Sequence, residues 1–558
     1  MMKHLFQIFA AVSALVILHS CAGKGSLVLV QVDPMTKILP EAAAFLPKAD
    51  TTETARGAHA TFQFAFRSPV ELTDIDVACT PLVFEGSVAN VVRCGLVGLV
   101  GIGEPASDPA HDVLRSVSGM FPDPILTDLK GTVPAAQASS AWVTVEVPED
   151  AAPGLYQGFF TFSAKAGGRR ILRRLPVLLR VWPIVMEDPS LLTVNWNFDF
   201  PECLSHWNGG QGVEPFSDLH WEYLEDMAAS LKEAHQNVTM VPLFFGLVKM
   251  ERGEDGHWNF DFENFNKTAR LYEKAGVLER LQLGEIGHRY EPRWESGFGL
   301  FVPDGKGGIE TRKIDDPSVL EFYREFLPAL RENLRENGWE DKSWQKVCDE
   351  PVDVNADDYR RVIGFLRSID PSIRVMEALQ TTRLSGVMDV WVPQLDTWHN
   401  NYDFFSSRQK AGDEVWFYTC CYPRGEYPNR FIEQPLLKTR MLYWMAFKYG
   451  ATGYLHWGFN YWAGDPFGTA DRPGTGTTLP GGDSWVVYPG YHKFESSLRY
   501  EALRDGIEDN TLLAMLRKKD PAAAQGICNR IIFNWWVYST SPVEFNAARH
   551  QLLKALSE

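Results

Sequence analysis

The sequence predicts an α/β protein: a (β/α)8 TIM-type barrel preceded by an N-terminal β-sandwich, with a C-terminal helical segment. Three observations carry the prediction. Residues 22–185 alternate apolar and polar positions with period two between turn signals. From residue 190 short apolar runs alternate with amphipathic helical stretches over about 270 residues. Residues 493–518 have helical spacing, with Leu498, Leu503, Ile507 and Leu512 as apolar contacts. The expected divisions are a signal peptide over 1–21, a β-sandwich over 22–185, the barrel over 186–484 and the helical segment over 485–558.

The chain has 558 residues, 45% hydrophobic and 22% charged, an ordinary globular balance with room for more than one domain. Its formal net charge of −17 argues against nucleic acid or an anionic membrane surface as the main partner. At 13% aromatics with 18 Trp, the chain has either large cores or flat apolar faces on which sugar rings can stack.

At the N-terminus Lys3 precedes an apolar run from Leu5 to Leu18. That is an export signal, shorter than the roughly 20 residues of a membrane span. Leu18-His19-Ser20-Cys21 has the form of a bacterial lipobox. Cys21 is therefore expected to be lipidated, making the protein a cell-envelope lipoprotein held to the membrane by its lipid anchor only; ordinary secretion is the alternative. Seven cysteines remain after Cys21, with no Cys-x-x-Cys or Cys/His spacing. Neither a metal nor another cofactor is expected.

In the β-rich part Phe62, Phe64 and Phe66 alternate with small or polar residues, as do Val143, Val145 and Val147. Gly167-Gly168 joins Gly158–Ala164 to Arg170–Val181 as a hairpin. In the α/β part the expected strands are Leu191–Trp196, Val238–Phe245, Arg280–Ile286, the stretch from Trp344, Ile373–Leu379, Val387–Leu395, Glu414–Cys421 and Gly453–Trp457. Asp316-Pro317 caps and opens a helix. The connection between the fifth and sixth strands is too short for a helix.

The fourth strand runs into Cys348-Asp349-Glu350-Pro351. Pro351 has no N–H for a ladder and biases Glu350 toward an extended conformation, so the strand is expected to end at the acidic pair. In a parallel barrel that end is the catalytic face. Around the same rim the strand ends offer Trp196, Asn197, His288, Gln394, Asp396, Trp398, Tyr418, Trp457, Asn460 and Trp462 as substrate-binding candidates. Taken singly, a strand-end Trp is more often packing than a sugar platform, and Asp396 fits a turn cap.

A conventional glycosidase sets two carboxylates on opposite sides of the scissile bond, about 5–5.5 Å apart when retaining. Adjacent residues on one strand end suit another division of labour, in which a 2-acetamido group on the substrate attacks C1. One carboxylate then orients that amide and the other protonates the leaving oxygen. Like charge on neighbouring carboxylates also favours one being protonated.

Cys348-Asp349-Glu350-Pro351, Trp457-Gly458-Phe459-Asn460-Tyr461-Trp462 and the run Leu498-Arg499-Tyr500-Glu501-Ala502-Leu503-Arg504-Asp505-Gly506-Ile507-Glu508-Asp509 resemble glycoside hydrolase family 123. The resemblance implies an exo-acting, retaining β-N-acetylgalactosaminidase whose substrate is a glycan with a terminal β-linked 2-acetamido sugar. It assigns Asp349 as the acetamido-orienting stabiliser and Glu350 as the general acid/base. It gives Arg504 and Glu508 no catalytic role. Two other readings remain open at the level of sequence: a non-catalytic surface glycan-binding lipoprotein, and a barrel glycosidase for another glycan that pairs Asp349 or Glu350 with Glu285 or Asp396.

Overall fold

The computed structural model describes residues 26–128, 130–474 and 477–558. The export signal and Cys21 lie outside the described residues, and no described helix is long and apolar enough to cross a membrane. The chain divides into two compact units, one from the N-terminal residues to Leu99 with Met120–Val185, the other Val100–Gly119 with Met186–Leu556.

The first unit is built of strands. His59–Arg67 pairs antiparallel with Val28–Val32 on one side and Ala138–Glu146 on the other. Gly154–Ala166 pairs antiparallel with Arg169–Val185 and with Leu72–Cys79. The hairpin expected at Gly167-Gly168 is present. Both glycines hold positive φ, 53° and 78°, as the two-residue turn of a right-twisted hairpin requires. Phe62, Phe64 and Phe66 are fully buried; Phe64 stacks on Phe160 at 3.8 Å and Phe66 meets Phe162 at 4.8 Å. The alternating aromatics thus form one continuous core.

The second unit is a mixed α/β fold around a curled parallel sheet. Its strands are Leu192–Asn195, Val238–Val241, Arg280–Leu283, Ser343–Gln345, Met376–Leu379, Val390–Pro393, Glu414–Val415 with Phe417–Thr419, and Gly453–His456. Parallel pairing joins the second to the third and the third to the fourth. A bridge from Gln345 to Val375 leads into the fifth strand. Pairing then runs on through the sixth, seventh and eighth strands and back to the first. Between the first and second strands no strand pairing occurs among the described residues. There Asn237 Oδ1 accepts from Thr193 N and Gln236 Oε1 from Asn195 N, both at 2.9 Å. Val194, Val238, Trp344, Met376, Val392, Trp416 and Leu455 pack together as the core of the sheet.

Helices follow most strands. In Pro317–Glu336 the Asp316 carboxylate accepts from Ser318 N at 2.9 Å and Pro317 opens the first turn, as expected. No helix joins the fifth and sixth strands. Three features depart from expectation. After the third strand the chain makes an antiparallel sheet of Gly287–Arg289, Phe298–Pro303 and Ile309–Arg312. After the second it makes a hairpin, Lys249–Arg252 with Trp258–Asp261. The C-terminal helix begins at Leu498, not 493, because Lys493–Glu495 pairs with Tyr488–Gly490 and Ser497 caps the helix by accepting from Tyr500 N.

That helix, Leu498–Lys519, is buried on every side through most of its length. Its charged residues are therefore paired: Arg504 meets Glu501 at 2.6 Å and Asp505 at 2.8 Å, and Asp509 takes Arg440 at 2.6 Å. Burial demands such partners, and they account for the motif without any catalytic role.

Candidate active site

The fourth strand pairs as a ladder only over Ser343–Gln345. Beyond it, Lys346 N donates to Leu283 O at 3.1 Å and Ile286 N to Val347 O at 3.2 Å, carrying the chain on to the acidic pair. Val347 N and Cys348 N would be orphaned there. Both donate to Glu377 Oε2, at 3.1 and 3.0 Å, and Tyr359 OH donates to the same oxygen at 2.7 Å. Glu377 comes from the fifth strand and is fully buried.

Glu350 differs from its expected conformation. Its φ is +42°, in the left-handed region, not the extended one that Pro351 favours. Such a backbone costs on the order of 1–3 kcal/mol for a residue with a side chain, so its surroundings must over-determine it. They do. Arg289 donates from Nη1 to Asp349 O at 2.7 Å and from Nη2 to Glu350 O at 2.8 Å. Gln380 N donates to Pro351 O at 3.0 Å, and Val352 N to Asn355 Oδ1 at 2.8 Å.

The two carboxylates have opposed environments. Lys346, 1% exposed, sets its ammonium 3.0 Å from Asp349 Oδ1, 2.6 Å from Glu285 Oε1 and 3.4 Å from Glu377 Oε1. Burial works against its charge, but Asp349, Glu285 and Glu377 together hold it well above the usual lysine range. Burial likewise opposes ionisation of Asp349, and Lys346, followed by Arg289 and His288, overcomes it, so Asp349 lies below its ordinary value and is ionised. Glu350 lacks such a cation at contact distance. Burial and the charge of Asp349 push it up to about 7. Its Oε1 accepts the hydroxyl of Tyr418 and, at 3.5 Å, the amide of Gln380. An oxygen already accepting two donors is the poorer place for a proton, so the proton of the neutral acid belongs on Oε2.

Around this pair the predicted rim residues divide. Trp196 is half-buried, its ring 4.9 Å from the Lys346 ammonium and its Nε1 donating to Gln282 at 2.9 Å. Tyr418 and Gln394 join the hydrogen-bond chain behind Glu350, Gln394 Nε2 donating to Tyr418 OH at 3.2 Å. His288 is exposed beside Arg289. Asn197 donates to Tyr272 OH at 2.8 Å and leaves its Oδ1 without a partner. Trp457 is half-buried, its Nε1 on Asp483 Oδ1 at 3.1 Å.

Trp398, Asn460 and Trp462 require correction, because all three are used inside the fold. Trp398 is fully buried between Phe417 and Trp535. Trp462 is 1% exposed and donates to Val487 O. Asn460 ties the first and last strand-end loops together, accepting from Phe198 N and donating to Phe198 O and Tyr223 OH. All three are buried, so none offers an accessible face or polar atom to a sugar. Asp396 lies inside the first turn of Leu395–Asn400, whose N-cap is Gln394, and accepts from Thr397 N at 2.8 Å.

Lys346, Glu377, Gln380 and Arg289 were missed in the sequence. Glu377 had a signal, since it is the lone charge in the otherwise apolar strand Met376–Leu379, and Lys346 had a weaker one as the lone cation between Trp344 and Cys348; a buried charge is tolerated only when paired. Arg289 had none, because its partners are backbone carbonyls.

An ionised and a protonatable carboxylate lie side by side at the C-terminal end of a parallel α/β sheet, an arrangement capable of general acid/base chemistry. The family described as Glycoside hydrolase 123, catalytic domain, matches residues 200–516, which contain the pair. The chain belongs to glycoside hydrolase family 123 and is a glycosidase. A family 123 glycoside hydrolase from Clostridium perfringens, studied for glycolipid glycan hydrolysis, is similar at 16% identity and TM-score 0.73, over 95% of this chain and 97% of that one. A β-glucuronidase of Parabacteroides merdae matches at 11% identity and TM-score 0.29, over 80% and 50% of the two chains. An endo-β-1,4-mannanase of Thermotoga petrophila matches at 11% identity and TM-score 0.31, over 58% and 77%. The last two agree too slightly in shape to bear on the fold. No curated protein matches the sequence.

Proposed function

We propose that the protein is an exo-acting, retaining β-N-acetylgalactosaminidase using substrate-assisted catalysis. The observation that carries this reading is the adjacency of an Asp349 held ionised by Lys346 and a Glu350 raised to about 7. The substrate's acetamido oxygen attacks C1 while Asp349 accepts the amide N–H and balances the growing positive charge. Glu350 Oε2 delivers its proton to the leaving oxygen, and the bond from C1 to that oxygen breaks. Glu350, now a carboxylate, takes a proton from the water that opens the cyclic intermediate. Intramolecular attack of this kind contributes on the order of 7–11 kcal/mol through positioning. Trp196 and Trp457 supply aromatic faces for the sugar, with His288 as a further polar contact. A terminal sugar on a glycolipid glycan, the material named for the Clostridium relative, is a fitting substrate.

The same reading takes the curled sheet as a (β/α)8 barrel completed by the Asn237 and Gln236 amides, and the N-terminal unit as a β-sandwich. It also keeps export to the bacterial envelope with lipidation at Cys21. A Cys21→Ser variant should then leave the membrane fraction.

Turnover of aryl β-GalNAc, β-GlcNAc and β-Gal tests the activity. The 2-acetamido substrates should be cleaved, β-GalNAc best, and a thiazoline analogue should inhibit. Equal cleavage of the 2-hydroxy sugar would falsify substrate assistance.

A further inference from the structure

We propose that Arg289, through the backbone, is a positioning residue for the general acid. The proposal rests on the reading of Glu350 as that acid. Arg289 comes from outside the parallel sheet, on the first strand of the insert sheet Gly287–Arg289, Phe298–Pro303 and Ile309–Arg312. Its guanidinium fork spans two consecutive carbonyls, those of Asp349 and Glu350. Two consecutive carbonyls held on the same donor fix both peptide planes flanking the Glu350 Cα, and with them its left-handed φ. Arg289 is itself held: Nε donates to Trp294 O at 3.0 Å and the guanidinium lies 4.1 Å over the Trp294 ring. The Trp294 carbonyl also receives Asn355 Nδ2 at 3.2 Å, and Asn355 receives Val352 N. A closed circuit therefore runs from the insert, through the acidic pair and Pro351-Val352, back to the insert.

Without the fork, Pro351 draws Glu350 toward the extended region. Its carboxyl then swings away from Tyr418 and from the leaving oxygen, while Asp349 keeps its contact with Lys346. A lysine cannot replace the fork, because an ammonium does not reach two carbonyls in a plane. The acid step should fail while substrate binding persists.

The test is leaving-group dependence in Arg289→Lys. On a β-GalNAc glycoside with a poor leaving group, kcat should fall about 100-fold, the cost of misplacing a reacting group by roughly 1 Å, with KM nearly unchanged. On the 2,4-dinitrophenyl glycoside, which needs no protonation, the loss should be small. Soluble guanidinium should partly restore Arg289→Gly. A loss equal on both substrates, or none on either, overturns the proposal. Glu350→Gln is measured alongside: if it keeps full activity on the poor leaving group, the proposed function itself is wrong, and if it loses activity while Arg289→Lys does not, only the role of Arg289 is. Should Arg289→Lys not fold, Trp294→Leu keeps the guanidinium but removes the ring beneath it. The same leaving-group-dependent loss there supports the proposal and a uniform loss sinks it.

Discussion

Lys346 decides which of the two adjacent carboxylates is the ion. It touches Asp349 and not Glu350, so the charge it stabilises is placed on Asp349, and that charge in turn raises Glu350. The sign of the pH dependence follows. Asp349, depressed, must be ionised and fails as pH falls through its lowered value. Glu350, raised, must be protonated and fails as pH rises through about 7. Activity should occupy the window between, and its alkaline limb should disappear from kcat/KM in Glu350→Gln on an activated leaving group, while on poor leaving groups that variant loses 10²–10⁴-fold, roughly the usual weight of general acid catalysis. Lys346→Met should move the acid limb upward, since Asp349 loses its cation. It also leaves Glu285, Glu377 and Asp349 facing one another, at a cost of about 3–5 kcal/mol. A kcat/KM profile over pH, with thermal denaturation beside it, reads both effects. An unmoved acid limb in Lys346→Met would show that Asp349 is held ionised by something else.

Among the elements, the insert sheet holds the backbone of the acidic pair through Arg289 and was the least legible. Gly287 shows how tightly it is docked. A Cβ there would lie 2.2 Å from Gly299 O and 3.0 Å from Cys348 Sγ, next to the acidic pair. Gly287→Ala must therefore push this strand off its neighbour and off Cys348, moving Arg289 with it. The expected result is a lower melting temperature and a kcat loss of the same leaving-group-dependent kind as Arg289→Lys, read by the same pair of substrates. A variant with wild-type kcat would mean that the insert does not set the pair. The repeated strands were legible because most are short apolar runs followed by a helix, two of those helices with a side-chain cap, at Ser217 and at Asp316. The insert's strands, such as Gly287–Arg289 and Ile309–Arg312, are short and rich in polar residues, with no period long enough to read. Asp349-Glu350 was legible by position, but the φ of Glu350 was not, because Pro351 points the local preference the other way and the contacts that oppose it come from distant Arg289 and Gln380 and from the Asn355 side chain. Burial also misled at Trp398, Asn460 and Trp462. A strand-end aromatic or amide reads the same whether it faces the mouth or a helix behind it.

At the scale of the whole molecule the dominant quantity is charge. The formal net charge is −17, so the field at long range is negative and weakens as salt shortens the screening length to about 8 Å at physiological ionic strength. Asp349 and Glu285 add local negative charge at the mouth, balanced in part by Lys346. A neutral terminal 2-acetamido sugar feels little of this, so kcat/KM on neutral aryl β-GalNAc should change less than about two-fold between low and physiological salt. An anionic glycan, sulfated or sialylated near the scissile bond, must approach against the field. Its kcat/KM should be lower and should rise several-fold with salt, the reverse of an enzyme steered electrostatically to its substrate. Measuring both substrates across an ionic-strength series separates the two cases. If the anionic substrate were the faster one and lost rate with salt, a local cationic subsite would have to outweigh the net charge, and neutral terminal sugars would not be what the mouth is built to receive.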